Sequence, residues 1–449
     1  MEMLSDPRSE MIVSESESPA SSKPAVAIET HGCKLNQADS SALAWRFVES
    51  GYRLVSTEEP ADVYILNSCT VTHVADRKAR HALRAARRRN PETTIVATGC
   101  YAQRSPEILR QLEEVDLVIG NTDKDDIVRQ VSDWRGETPV PCAVGDDPEG
   151  TLGLRTMRSR PSVKIQEGCN QVCAYCIVPK VRGRERSIPP EEIIDEINRY
   201  GARGFKEVVL TGTQLGSYGF DLPGLSLTRL LARILSETDV PRLRVSSLQP
   251  QELDHDLVGL WDDRRLCPHF HLPLQSGSDA VLERMRRRYT SRQYADAVDT
   301  LRRALVDVSV TADVVAGFPG ETDEEFEETL SLCNAIEFAD IHVFPYSVRP
   351  GTSAAHYDAQ VAQETKARRV QALLELAEVQ TARFRERQAG KVRPVLWEQG
   401  RRSEGSSLWT GLTDNYIKVS CRSGLDLANR ITPARLGKYE EGLVHAEAL

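Results

Sequence analysis

Cys169, Cys173 and Cys176 limit what this chain can be more than any other residues in it. They stand in the run Glu167-Gly168-Cys169-Asn170-Gln171-Val172-Cys173-Ala174-Tyr175-Cys176. This C-x3-C-x2-C spacing lets three thiolates from one short loop converge on one small metal centre, whereas structural zinc usually takes four ligands from paired C-x2-C arms. A 4Fe-4S cube normally takes a thiolate at every corner, so three thiolates leave one iron free for an exogenous ligand. Spacing alone is also compatible with three buried small hydrophobes or an incomplete zinc knuckle.

At 449 residues the chain is long for a single core, and two or three domains are expected. No apolar run approaches membrane-spanning length, so no membrane partner is expected. Ten cysteines are too few for a disulfide scaffold at this length, and no secretory signal is present. The reducing cytoplasm is therefore the expected compartment. Residues 1–23, with the run Ser14-Glu15-Ser16-Glu17-Ser18, carry too little apolar surface to order and are expected to be a disordered tail.

From Ala25 the pattern alternates strand and helix. Ala25–Ile28, Asp62–Asn67, Thr93–Thr98 and Asp116–Ile119 read as apolar strands, with helices over Ser40–Glu49, 77–89 and Pro106–Glu113 between them. Repeated units of this kind predict a parallel sheet covered on both faces. Each of the first three strands is followed by a cysteine: Cys33, Cys69 and Cys100. The carboxyl ends of parallel strands lie along one edge, so these three thiols, remote in sequence, are expected to meet and hold a second cluster. The competing reading is three unrelated buried thiols. A connector follows over 121 to about 160, loosest at Asp146-Asp147-Pro148-Glu149-Gly150, where Cys142 has no partners.

Further strands at Val208–Thr211, Arg244–Ser247, His269–Leu272, Thr311–Val315 and Ile341–Phe344 predict a partial TIM-like barrel, with the first cluster loop after its first strand. Glu321-Thr322-Asp323-Glu324-Glu325 reads as acids in the first turn of a helix, and Cys267 and Cys333 as packing residues. Glu364–Gln388 reads as a charged amphipathic helix. Beyond Gly390, short β segments with glycine turns predict a small antiparallel barrel akin to the oligonucleotide-binding class.

Net charge is -9, which argues against a general polyanion binder. Residues 77–89, however, hold seven Arg or Lys and no acid, on a helix that Asn90-Pro91 ends. That helix is either a solvated face or an RNA-facing one, in which case Arg80, Arg84, Arg87 and Arg88 are the candidate contacts.

The cysteine loop and its continuation Ile177-Val178-Pro179-Lys180-Val181-Arg182-Gly183-Arg184-Glu185-Arg186-Ser187 resemble the radical S-adenosylmethionine (SAM) enzymes. The Arg182-Gly183-x-x-Arg186-Ser187 tail resembles their methylthiotransferase branch. Gly32-Cys33-Lys34-Leu35-Asn36-Gln37 and Cys69-Thr70-Val71-Thr72-His73-Val74-Ala75-Asp76-Arg77-Lys78 resemble the group acting on threonylcarbamoyladenosine in tRNA. His31 departs from this pattern, which usually has an apolar or aromatic residue there. The resemblance implies two 4Fe-4S clusters and SAM as cofactors. The cluster on Cys169, Cys173 and Cys176 would cleave SAM to a 5'-deoxyadenosyl radical, and the one on Cys33, Cys69 and Cys100 would carry sulfur.

By the same resemblance Thr213 and Gln214 stand where the family receives the amino group of SAM, with Ser247, Gln275 and Gly317 at other strand ends beside the cofactor. The stretch Gly411-Leu412-Thr413-Asp414-Asn415-Tyr416-Ile417-Lys418-Val419 resembles the TRAM domain, with RNA as its implied ligand and Lys418 as a contact. Implied partners are tRNA, an electron donor such as a flavodoxin or ferredoxin, and a sulfur donor. The expected units are 1–23 (tail), 24–145, 155–388 and 389–449. The expected reaction is methylthio transfer to C2 of N6-threonylcarbamoyladenosine beside the anticodon. Alternatives are the same chemistry on isopentenyladenosine or on a ribosomal-protein aspartate, and a non-catalytic iron-sulfur or RNA-binding factor.

Overall fold

The computed structural model describes residues 23–137, 159–403 and 406–449. Residues 1–22 of the expected tail, the Asp146–Gly150 stretch and Cys142 lie outside the described residues.

Five parallel strands open the fold: β1 (Ala25–Thr30), β2 (Arg53–Val55), β3 (Val63–Ser68), β4 (Thr94–Gly99) and β5 (Leu117–Ile119), in the order β2-β1-β3-β4-β5. Alternation along the strands serves both faces. Val26, Ile65 and Val96 pack under helix α1 (Lys34–Glu49) with Leu43 and Phe47. Ala27, Tyr64, Leu66 and Ala97 pack under helix α2 (His73–Arg89) with Leu83 and Ala86. Each fully buried Val, Leu, Ile or Phe among them contributes about 1.5–3 kcal/mol.

Two expectations for this region need correction. Helix α1 starts at Lys34, six residues earlier than expected, because extended Cys33 is its N-cap and no Ser, Thr or Asp marks the site. The expected connector contains a helix, Ile127–Arg135, whose Ile127 and Val131 join the core beside Ile119. It is short, and its apolar face is Ile127 and Val131 with Val128 packed beside them.

Six parallel strands follow: β6 (Ser162–Lys164), β7 (Glu207–Thr211), β8 (Arg242–Val245), β9 (His269–His271), β10 (Ser309–Ala316) and β11 (Asp340–Pro345). They pair in chain order, β6-β7-β8 and β9-β10-β11, and single bridges at Leu243–Leu266 and Ser247–His271 join the two halves. This is an open barrel. Its apolar residues face the surrounding helices, while Glu207, Arg242, Arg244, His271 and Asp313 alternate with that core set. Helix α1 packs against β6 at the open edge. Glu321 is not in a helix first turn: the helix is Asp323–Ile336, capped by Thr322, and Glu321 is buried against Arg369 at 2.7 Å. Cys267 and Cys333 are buried, as expected.

Helix Gln363–Glu386 leads to a closed five-stranded barrel of β12 (Val392–Ser403), β13 (Ser406–Thr413), β14 (Lys418–Ser423), β15 (Ile431–Glu440) and β16 (Leu443–Ala448). It is antiparallel except where β14 and β16 close it in parallel, through Val419–Val444 and Ser420–His445. The barrel docks on the amino-terminal ends of the central strands. Arg244 donates to the Asp414 carbonyl (3.0 Å), Asn415 donates to the Asp307 carbonyl (3.2 Å), and Tyr416 stacks on His269 with centroids 4.2 Å apart.

Candidate active site

The amino-terminal sheet brings its three strand-end cysteines together. Gly32 sits at φ +109°, and a Cβ there would lie 2.4 Å from Cys69 Cβ, so glycine permits the close approach of the two loops. Asn36 Oδ1 lies 4.0 Å from Cys33 Sγ and 3.9 Å from Cys100 Sγ, joining those two thiols. Burial pushes the Cys69 thiol up to about 12, and the charges of Cys33 and Cys100 push it in the same direction. Soft sulfur donors in such a group suit iron-sulfur or zinc binding, and three of them leave a cube one open corner.

The second trio follows β6. Gly168 (φ +77°) runs so close to the Arg184 carbonyl that a Cβ would meet its oxygen at 1.9 Å. Ala174 anchors the loop, donating to the Met285 carbonyl (3.0 Å) and accepting from Ala354 N (2.7 Å). Arg287 donates to Cys173 Sγ at 3.4 Å. Burial pushes Cys176 up to about 12, reinforced by Cys173 and Cys169. The loop cysteines are therefore a group as well.

Arg182 ties the two groups together. Its Nε donates to Cys100 Sγ (3.4 Å) and its Nη1 to Asp39 (2.8 Å) and Glu167 (2.7 Å), while Nη2 donates to Asn36. Asp39 also receives Lys124 (3.1 Å) and Lys164 (2.9 Å). Burial would raise the Asp39 carboxyl, but these three cations outweigh it and hold it well below the usual range. The motif that contains Arg182 gives no sign of this place, because its partners Asn36, Asp39 and Cys100 are remote in the chain.

The SAM-side candidates lie along the strand ends. Gln166 Oε1 accepts from the backbone N of both Thr213 and Gln214, at 2.9 Å each. Thr213 Oγ1 is buried without a hydrogen-bond partner among the described residues, as a group awaiting a polar ligand would be. Gln214 bonds Glu252, whose carboxyl burial pushes up to about 7. Ser247 Oγ lies 2.7 Å from His271 Nδ1. His271 and His342 share Asp313 at 3.0 and 3.1 Å, a trio whose nitrogen and oxygen atoms all lie within 4.8 Å of one another. Gln275 holds a left-handed backbone (φ 66°), a strained conformation that clusters at functional sites. Gly317 (φ +74°) forms a turn in which Glu321 accepts from its N at 2.7 Å and Lys366 leaves no room for a Cβ.

Among the basic candidates, Arg84 and Arg88 are exposed on α2, as are Arg77 and Lys78, and Lys418 is exposed on β14. Arg87 is spent inside the protein, on the carbonyls of Pro91, Thr93 and Glu114 and on Asp116 at 2.6 Å, which removes it from the RNA-facing set. Arg80 donates to Tyr101 Oη at 2.7 Å. His31 turns its ring to Glu29 (2.7 Å), and its carbonyl accepts from Asn36 (2.8 Å), so the departure from the family pattern leaves the thiols' neighbour Asn36 in place.

An open parallel barrel with a three-thiol loop after its first strand is the architecture of a radical SAM protein, and residues 163–333 match the Radical SAM superfamily. Residues 25–120 match the uncharacterized protein family UPF0004. A radical SAM methyltransferase, TsrM from Kitasatospora setae, shares the fold with a TM-score of 0.52 at 15% identity, over 72% of this chain and 73% of that one. The chain is 37% identical to threonylcarbamoyladenosine tRNA methylthiotransferase MtaB of Bacillus subtilis, over 93% of this chain and 95% of that protein. Identity to MtaB of Aquifex aeolicus is 39%, over 88% and 96%. It is 35% to the tRNA-2-methylthio-N(6)-dimethylallyladenosine synthase of Syntrophotalea carbinolica, over 91% and 96%. The chain belongs to the radical SAM tRNA methylthiotransferase family.

Proposed function

We propose that this chain transfers a methylthio group to C2 of N6-threonylcarbamoyladenosine beside the tRNA anticodon. The observation that carries the reading is the pair of three-thiol groups on either side of the contact between α1 and β6, joined through Arg182. Both donor sets fit a 4Fe-4S cluster with one open iron. Cys169, Cys173 and Cys176 would hold the cluster that provides one-electron reduction of SAM, and Cys33, Cys69 and Cys100 would hold the one that provides an iron for sulfur.

The chain's own residues bind and orient. Gln166 fixes the backbone of Thr213 and Gln214, presenting the unpartnered Thr213 hydroxyl to the amino group of SAM. Ser247 and Gln275 line the remaining strand ends. An aromatic C2–H offers no acid or base handle, so positioning is the protein's chief contribution. Arg77, Lys78, Arg84 and Arg88 with Lys418 are the proposed tRNA contacts. The units are taken as 24–145, 155–388 and 389–449. A flavodoxin or ferredoxin would bring electrons and a separate donor would bring sulfur, in the cytoplasm. Among the described residues no helix is long and apolar enough to cross a membrane.

Nucleoside mass spectrometry after anaerobic reaction with SAM, reductant and tRNA tests this. A C2 methylthio group should appear on threonylcarbamoyladenosine. Its appearance on isopentenyladenosine instead would reassign the substrate. Cys173→Ala should abolish SAM cleavage, and Cys69→Ala should keep cleavage but stop sulfur insertion. Cleavage at the wild-type rate in Cys173→Ala would refute the assignment.

A further inference from the structure

Lys34 is placed where a stable fold would not put a cation. It is the first residue of α1, at the positive end of the helix dipole, and that turn holds no acid. Its ammonium reaches into the central barrel, 5.9 Å from the centroid of the Tyr416 ring.

The other charges around it have partners. Arg244 pairs with Glu207 at 2.8 Å and Arg160 with Glu398 at 2.7 Å. Asp313 is shared by His271 and His342. Lys34 alone of this group has no hydrogen bond or ion pair among the described residues. The phenol of Tyr416 already faces the guanidiniums of Arg160 and Arg244 as well. Tyr416 itself is held at φ 71°, a backbone conformation unfavourable for a bulky side chain, which turns its ring toward this group. Lys34 is half-buried, and the nearest carboxylate, Asp313, is already engaged by His271 and His342, so an anionic ligand would give the ammonium a direct acceptor.

We propose that Lys34 is a specificity-determining residue whose ammonium pairs with the carboxylate of the substrate's threonylcarbamoyl group. This rests on the function proposed above. The threonylcarbamoyl substituent ends in a carboxylate and the isopentenyl one is uncharged, so one unpaired lysine beside Cys33 separates the two adenosines by charge.

The test uses anaerobically reconstituted full-length protein and three anticodon stem-loop RNAs: one with threonylcarbamoyladenosine, one with its carboxylate masked as a methyl ester, one with plain adenosine. Wild type should bind the free acid about 30-fold more tightly than the ester. Lys34→Met should bind acid and ester alike, and Lys34→Arg should restore most of the preference, with iron content confirming that both variants are loaded. Equal weakening toward all three RNAs in Lys34→Met would assign Lys34 to a phosphate and overturn the proposal. If Lys34→Met fails to load iron, the wild-type comparison still decides, since equal affinity for acid and ester would refute it. Wild type that methylthiolates threonylcarbamoyladenosine yet ignores the mask sinks this inference alone; wild type that never modifies that nucleoside sinks the proposed function.

Discussion

Burying the guanidinium of Arg182 beside Cys100 carries a desolvation cost, and Asp39, Glu167 and Asn36 offset it. Removing it leaves Asp39 to Lys124 and Lys164, and Glu167 to Lys164. Arg182→Met should therefore destabilise the reconstituted protein by about 1–3 kcal/mol in denaturant unfolding, and a change under about 0.5 kcal/mol would mean the network is dispensable. Gly32→Ala forces a Cβ into Cys69 at a positive φ, and should lower iron bound by the amino-terminal trio while sparing SAM cleavage. Iron content beside a cleavage assay checks this. The six cysteines were legible because strand-end placement and loop spacing are properties of the chain itself. Arg182 was not, because Asp39 stands 143 positions away and only the folded interface brings them together. The trio of His271, Asp313 and His342 was hidden for the same reason: three separate strands supply it.

At the level of elements, α2 shows how far composition reaches. Alanine, leucine and arginine with the Asn90-Pro91 stop correctly announced a helix over 77–89, and the structure extends it back to His73 with Thr72 as cap, accepting from Ala75 N at 3.1 Å. Composition could not say which cations stay free. Arg87 closes the turn after the helix, so Arg87→Glu should act on stability. Glutamate at Arg77, Lys78 and Arg88 should weaken tRNA binding and reduce its salt slope by about one for each phosphate no longer neutralised. A salt titration of affinity distinguishes the two classes, and an unchanged slope in the triple variant would return α2 to a solvated face. The early start of α1 was illegible because a cysteine capped by nothing carries no helix-start signal, yet that start places Lys34 in the barrel.

Across the whole molecule, the carboxyl-terminal barrel is held to the centre by Arg242 and Arg244, and both depend on Glu207. Burial alone would raise the Glu207 carboxyl, but the guanidiniums of Arg244 and Arg242 outweigh it and hold it at about 2, below its ordinary 4.5. Its contribution is therefore complete above pH 4.5 and is lost as pH falls from there toward 2. Unfolding free energy should decline across that window, and Glu207→Gln should flatten the decline; an identical slope in the variant would contradict the linkage. Three architectures in order, a parallel sheet, an open parallel barrel and a small closed barrel, were legible from strand and helix periodicity. Their docking was not, because it rests on Tyr416, Asn415 and the arginines of β8 meeting across distant segments. The account stands on two separate three-thiol groups, and iron analysis of anaerobically reconstituted protein tests that most directly. About eight irons per chain are predicted, falling to about four in a Cys33, Cys69 and Cys100 triple alanine variant. About four in the wild type, unchanged by that variant, would contradict it.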